Sequence, residues 1–185
     1  MILYRTLTIA TTLFALATLS GCAMMGHTSS NEKRTAGTVV EDSTIERKAQ
    51  EAIYTNERLK KQVHINVDSY NGAVLLTGEA PSSEINDEVV KLIQQIPKIR
   101  QIHNEVSIAP PASLADRSRD SWITTKVKTL HFGNKEVNGL SIKVITVHGI
   151  VYLMGIVSQA EGEAATNLAR QVEGVSQVVK MFEYQ

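Results

Sequence analysis

The sequence predicts an α+β fold built twice: two tandem units, each ordered α-β-β-α-β, with a three-stranded mixed sheet covered by two helices. Three observations carry this prediction. The chain repeats itself at an offset of 77 residues. Within each copy the apolar spacing runs from helical to alternating and back. Each copy also sets a pair of residues suited to positive φ, Asn71-Gly72 and His148-Gly149, where a tight hairpin is needed.

The repeat is plainest where Asn71-Gly72-Ala73-Val74-Leu75-Leu76-Thr77-Gly78 is laid over His148-Gly149-Ile150-Val151-Tyr152-Leu153-Met154-Gly155. Both glycines, Val74 with Val151, and Leu76 with Leu153 coincide. Upstream, Val63, Ile65 and Val67 fall on Leu140, Ile142 and Val144 at the same offset. Downstream, Ile96, Ile99 and Ile102 fall on Val172, Val175 and Val178 at an offset of 76, so one residue is lost in a loop. A shared order of apolar positions across about 65 residues marks a tandem duplication.

Ile45, Ala49 and Ile53 have the spacing of one helical face, and Ile123, Val127 and Leu130 are the matching stripe of the second copy. Asp42 and Asp120 stand a turn or less ahead of these stripes, where a side-chain oxygen caps free helix amides. Val63, Ile65 and Val67 alternate with polar residues, as a half-buried strand does, and the hairpin follows. Ile85, Val89, Leu92 and Ile96 make a second helix, whose counterpart uses the smaller Ala165, Leu168 and Val172. A last strand runs near Ile102 to Ile108 and near Val178 to Tyr184. Units of about 70 residues bury only about 60% of their unfolded surface, so the two are expected to pack on each other.

The flanking segments read differently. Arg5 is the only charge in residues 1–21, and Leu7 to Leu19 is an apolar-to-small run, too short to span a bilayer but right for a signal segment. It closes on Leu19-Ser20-Gly21-Cys22, which resembles the lipobox of bacterial lipoproteins. Small residues let the chain enter a signal peptidase in extended form, and the thiol of Cys22 carries the lipid. Cys22 is the only cysteine, so no disulfide within one molecule competes for it. Ala23, rather than Asp, follows it, a pattern that resembles sorting to the outer membrane. Residues 22–41 read as a flexible tether, 42–108 as the first domain, 109–115 as a linker broken by Pro110-Pro111, and 116–185 as the second domain. Without Arg5 the mature chain has 18 Lys and Arg against 19 Asp and Glu, which gives no electrostatic reason for nucleic-acid binding.

Catalysis finds no support in the sequence. The five histidines, His27, His64, His103, His131 and His148, lie in no HExxH spacing, and no GxSxG, GxGxxG or P-loop is present. His148 matches the turn residue Asn71. His131 closes a helix, where a cation complements the dipole. No cofactor, metal or small-molecule substrate is expected.

The surface of one helix is the better lead. With residues 120–132 helical at about 100° per residue, Trp122, Thr125, Thr129 and Phe132 form a face roughly 130° around from Ile123, flanked by Lys126 and Lys128. The first copy has Thr44, Arg47, Glu51 and Tyr54 in those places, without the tryptophan and with an acid in mid-face. Aromatic rings framed by lysines suit a bilayer interface. The same ring would equally suit a seam between the two domains.

The order of elements, Gly72, Gly78, Gly149, Gly155, Val172-Glu173-Gly174-Val175 and the stretch Asp120-Ser121-Trp122-Ile123-Thr124-Thr125-Lys126-Val127-Lys128 resemble the BON domain. With the lipobox, they resemble the outer-membrane lipoproteins that carry two BON domains. The first copy departs at Pro97, where the family often has the glycine seen at Gly174. The resemblance implies a non-enzymatic, periplasm-facing protein that binds anionic phospholipid, gathers at division sites and supports envelope integrity and β-barrel assembly. It implies that the first helix of the second domain is the lipid surface, with the aromatic role at Trp122, the basic one at Lys128 and the apolar one at Phe132. An adapter that docks on envelope machinery through the same helix would need the same exposed ring, so the two readings stay open here.

Overall fold

The computed structural model describes residues 34–185. The expected signal segment, the lipidated Cys22, His27 and most of the tether lie outside the described residues.

Both copies have the predicted order. The first runs α1 (Ala36–Thr55), β1 (His64–Tyr70), β2 (Ala73–Ala80), α2 (Ser83–Ile93) and β3 (Gln101–Ile108). The second runs α3 (Leu114–Gly133), a short 3-10 turn (Gly139–Ser141), β4 (Ile142–Val147), β5 (Ile150–Val157), α4 (Gln159–Arg170) and β6 (Gln177–Tyr184). Each sheet is mixed: β1 pairs antiparallel and β3 parallel with the central β2, and β4 and β6 do the same with β5. The repeat offset survives in the register, since Ile65 lies opposite Gly78 and Ile142 opposite Gly155. Glycine is required at both places. A Cβ at Gly78 would stand 2.0 Å from the His64 carbonyl oxygen, and one at Gly155 would stand 2.7 Å from that of Ser141.

The hairpins form as predicted, with φ of 52° and 75° at Asn71-Gly72 and the same angles at His148-Gly149. The two aspartates, however, are not helix caps. Thr35 and Ser113 cap α1 and α3. Both helices therefore begin earlier than the sequence reading placed them, taking Ala36–Glu41 from the tether and Leu114–Ala115 from the linker. Asp42 and Asp120 lie inside the helices, buried, and fasten them to the hairpins. Asp42 accepts from the Asn71 and Gly72 amides at 2.8 and 2.9 Å. Asp120 accepts from those of His148 and Gly149 at the same distances. A tight turn turns its amides inward, and a carboxylate on the facing helix satisfies both at once. Each such group left buried and unpaired costs about 1–3 kcal/mol.

Ile45, Ala49 and Ile53 pack under the first sheet as expected. In the second copy the stripe is Ile123, Val127 and His131; Leu130 is 38% exposed and leaves the core. His131 is therefore no surface cation near a helix end. It is 1% exposed, with Nε2 2.9 Å from the Ala165 carbonyl oxygen, and burial pushes its imidazole below the ordinary pKa. Leu140, expected as a core strand residue, sits on the 3-10 turn and is 79% exposed. The turn near Pro97 is intact. The partner of Gly174 at offset 76 is Lys98, and it takes φ +73° beside the +87° of Gly174.

The two sheets meet through the faces that their helices leave uncovered. Tyr70 and Leu75 of the first copy pack with Tyr152 and Met154 of the second, against Ile145, Val147 and Met181. Polar contacts frame this seam. The Tyr70 hydroxyl donates to the Ser141 carbonyl at 2.7 Å, Asn71 Nδ2 donates to Glu183 at 2.9 Å, and Lys143 pairs with Glu46 and Asp68. The layers run helices, sheet, sheet, helices, and this places α3 on an outer face.

Candidate functional site

The lock at Asp120 fixes how α3 sits on its sheet, and so fixes what lies outward. Ile123, Val127 and His131 point inward, and Thr124 donates to the Thr146 hydroxyl of β4 at 2.8 Å. The opposite side of the helix carries Trp122, Thr125, Lys126, Lys128, Thr129 and Phe132, all exposed. Trp122 is 46% exposed, and the residues that pack in the seam do not include it. The seam alternative for this ring is thereby set aside.

The face has three physical properties. Its rings are open to solvent at two levels, since Trp122 and Phe132 are ten residues apart, about 15 Å along the axis. Its hydroxyls are satisfied internally: Thr125 donates to the Ser121 carbonyl at 2.9 Å and Thr129 to the Thr125 carbonyl at 2.8 Å. Hydroxyls bonded back to the helix lose little on leaving water. Its charges are cationic. The Lys126 ammonium lies 5.6 Å from the Trp122 ring centroid, close enough for a cation–π contact, and Lys128 is exposed on the other flank. Asp116, the exposed acid of α3, sits in the first turn, where the Ser113 hydroxyl holds its carboxyl below the ordinary range.

Two residues of this surface were missed in the sequence. Leu130 borders the face next to Lys126, and Leu140 lies beyond Phe132. An offset of 78 between α1 and α3, which sets Ile53 on His131, would have removed Leu130 from the core stripe. A buried histidine in place of isoleucine hid that register.

Among the described residues, the other histidines form no second site of the same weight. His64 Nδ1 and His148 Nε2 each contact one oxygen of buried Glu79, at 3.1 and 2.9 Å, and so clip the two copies together. Among the described residues no three His, Cys, Asp or Glu side chains are placed to hold a metal ion, and no helix is long and apolar enough to cross a membrane.

Comparison with known proteins agrees with this architecture. The BON domain family matches residues 41–110 and 119–185. The outer membrane lipoprotein DolP of Haemophilus influenzae is 37% identical over 153 residues, covering 83% of this chain and 79% of that protein. The 21 kDa hemolysin of Actinobacillus pleuropneumoniae is 37% identical over 158 residues, covering 85% and 81%. The osmotically-inducible protein Y of Escherichia coli is 27% identical over 145 residues, covering 77% and 72%.

Proposed function

The chain belongs to the BON domain family, in two tandem copies, and from that premise we propose that it is a non-enzymatic outer-membrane lipoprotein, anchored at Cys22 and facing the periplasm, that presses the outer side of α3 onto anionic phospholipid. The likeness to an outer membrane lipoprotein over most of both chains supports the location. The observation that carries the lipid reading is the half-exposed Trp122 under a lysine, on a face whose hydroxyls are turned in. The matching face of α1 offers Thr44 and Glu51 instead, and its ion pair of Arg47 with Glu51 neutralises itself.

The strength of such contact is modest. Lys126 and Lys128 contribute on the order of 1 kcal/mol each near an anionic surface, and partial insertion of two rings adds burial at roughly 25 cal/mol per Å². The result is micromolar to millimolar affinity, sufficient for a protein held near one leaflet by its own anchor. Weak contact lets the molecule diffuse and gather where anionic lipid is rich, division sites included, and from there support envelope integrity.

The experiment is co-sedimentation of the lipid-free mature chain with vesicles of phosphatidylglycerol and phosphatidylethanolamine. Wild type binds, and raising salt weakens it, because the lysine contribution is screened beyond about 10 Å at 0.1 M. Trp122→Glu abolishes binding while its melting curve stays near wild type. Undiminished binding of Trp122→Glu places the lipid surface elsewhere. Wild-type protein that ignores every vesicle favours instead an adapter that docks on β-barrel assembly machinery. Acylation is read separately: mass spectrometry of the mature N-terminus finds a lipid-modified Cys22, and an unmodified terminus overturns the anchor.

A further inference from the structure

Leu140 is a large apolar side chain left almost wholly in water, and its neighbours give it a direction. It follows Gly139, against which the Phe132 ring packs so closely that a Cβ there would be 2.9 Å from Phe132 Cδ1. With Arg34, Val39 and Ile142 it also lines a crevice of about 260 Å³ between α1 and the start of β4. Val39 and Val40 are themselves exposed on α1. Apolar side chains thus run from Trp122 through Phe132 to Leu140, and reach the first copy at Val39, which lines the crevice with Leu140.

The charges along this ridge favour an anionic partner. Lys126, Lys128 and Lys135 are exposed, with Glu136 as the exposed acid beside Lys135. Lys143, at the crevice, faces two carboxylates, Glu46 and Asp68, so that this triad carries one net negative charge and the cationic part of the ridge is the stretch from Lys126 to Lys135.

Arg34, the first described residue, lines the same crevice, bonded to Asp42 at 2.8 Å and lying 4.0 Å from the Tyr70 ring centroid. The chain thus enters α1 at the Leu140 end of the ridge. Cys22 is twelve positions upstream of Arg34, and twelve residues reach at most about 40 Å. An acyl group at Cys22 keeps Arg34, and with it the Leu140 end of the ridge, within about that distance of the leaflet that holds it.

We infer that this ridge, built from both copies, is the docking surface for the leaflet that carries the protein's own anchor, with Leu140 as a second apolar foot beside Trp122. The inference rests on the lipid reading above and extends it in two ways: the first copy takes part, and the contact is made with the anchor's own membrane.

Trp122 is the only tryptophan in the chain and serves as the reporter. The full acylated protein is reconstituted in vesicles containing brominated phosphatidylglycerol, and quenching of Trp122 emission is measured. Wild type is quenched. Leu140→Glu lowers the quenched fraction about fivefold, the loss of one partly inserted leucine plus repulsion of phosphate, and Val40→Glu lowers it less. Lys180→Glu, the same sign of charge change on exposed β6, leaves it unchanged. Leu140→Gln gives an intermediate loss and serves if the glutamate variant melts early. With the anchor in unbrominated vesicles and the brominated lipid in separate ones, quenching is absent at high dilution. Wild-type quenching in both Leu140 variants overturns the ridge while leaving the lipid reading intact if Trp122→Glu has lost co-sedimentation. Equal quenching from the separate vesicles overturns the own-leaflet part. Retained co-sedimentation of Trp122→Glu removes both readings together.

Discussion

Helices α1 and α3 are the same element twice, and they differ where it matters for use. Inward they agree: an aspartate fastens each to its hairpin at matching distances, and Ile45, Ala49 and Ile53 correspond to Ile123, Val127 and His131. Outward they part. The Tyr54 hydroxyl accepts from the Ile65 amide and donates to the Ile65 carbonyl, so that ring is tied to the edge of its own sheet. Phe132, in the same place, has no hydroxyl and stands out beside Gly139. Thr44 gives way to Trp122, and Glu51 to Thr129. The same helix thus carries a self-satisfied outer surface in one copy and an exposed aromatic and cationic one in the other.

The agreement breaks most visibly at the aspartates. Asp120→Ala strands two turn amides and lowers unfolding free energy by about 2–4 kcal/mol in urea titration. Asp42→Ala costs more, because Asp42 also accepts from the Ser69 hydroxyl and pairs with Arg34. Equal losses would show that these extra bonds contribute nothing.

A smaller effect lies in the one core position that differs in polarity. His131→Ile gives α3 the residue that α1 has, and removes a buried Nδ1 that has no hydrogen-bond partner among the described residues. Stability rises by about 1 kcal/mol at neutral pH. The sign with pH follows from burial. The folded imidazole titrates below its ordinary value, so as pH falls through about 6.5 the unfolded chain takes up a proton that the folded one refuses. Wild type therefore loses stability from about pH 6.5 downward, and His131→Ile loses less over the same interval. Parallel melting curves of the two proteins from pH 7.5 to 5 would refute this.

Lys98 and Gly174 give the smallest test. A lysine at positive φ is strained where glycine is not, while glycine is freer when unfolded. Lys98→Gly gains about 0.5 kcal/mol by chemical denaturation, with little lost from the exposed pair with Glu41. A decrease would mean that this pair outweighs the strain.

The fold was legible because duplication writes each signal twice: the hairpin glycines, the strand alternation and the order of elements all appear in both copies. The outward aromatic face was legible too, since Trp122 and Phe132 keep helical spacing. Other features were hidden by the limits of local reading. Asp42 and Asp120 look like caps because a carboxylate near a helix start commonly is one; their partners lie about 30 residues away. A histidine near a helix end reads as an external cation, and Leu130 then fills the core stripe in its place. The offset of 77 sets Leu140 on Val63, but Val137 is the buried residue there, and the 3-10 turn carries Leu140 outward.

The seam has a further consequence. A sheet with helices on one side and its twin on the other is what two separate chains of half this length would form on meeting, an assembly governed by mass action and lost on dilution. Joining them through Pro110-Pro111 replaces that encounter with an effective concentration on the order of millimolar, independent of how many molecules the cell makes. A single chain already holds both halves of the sandwich.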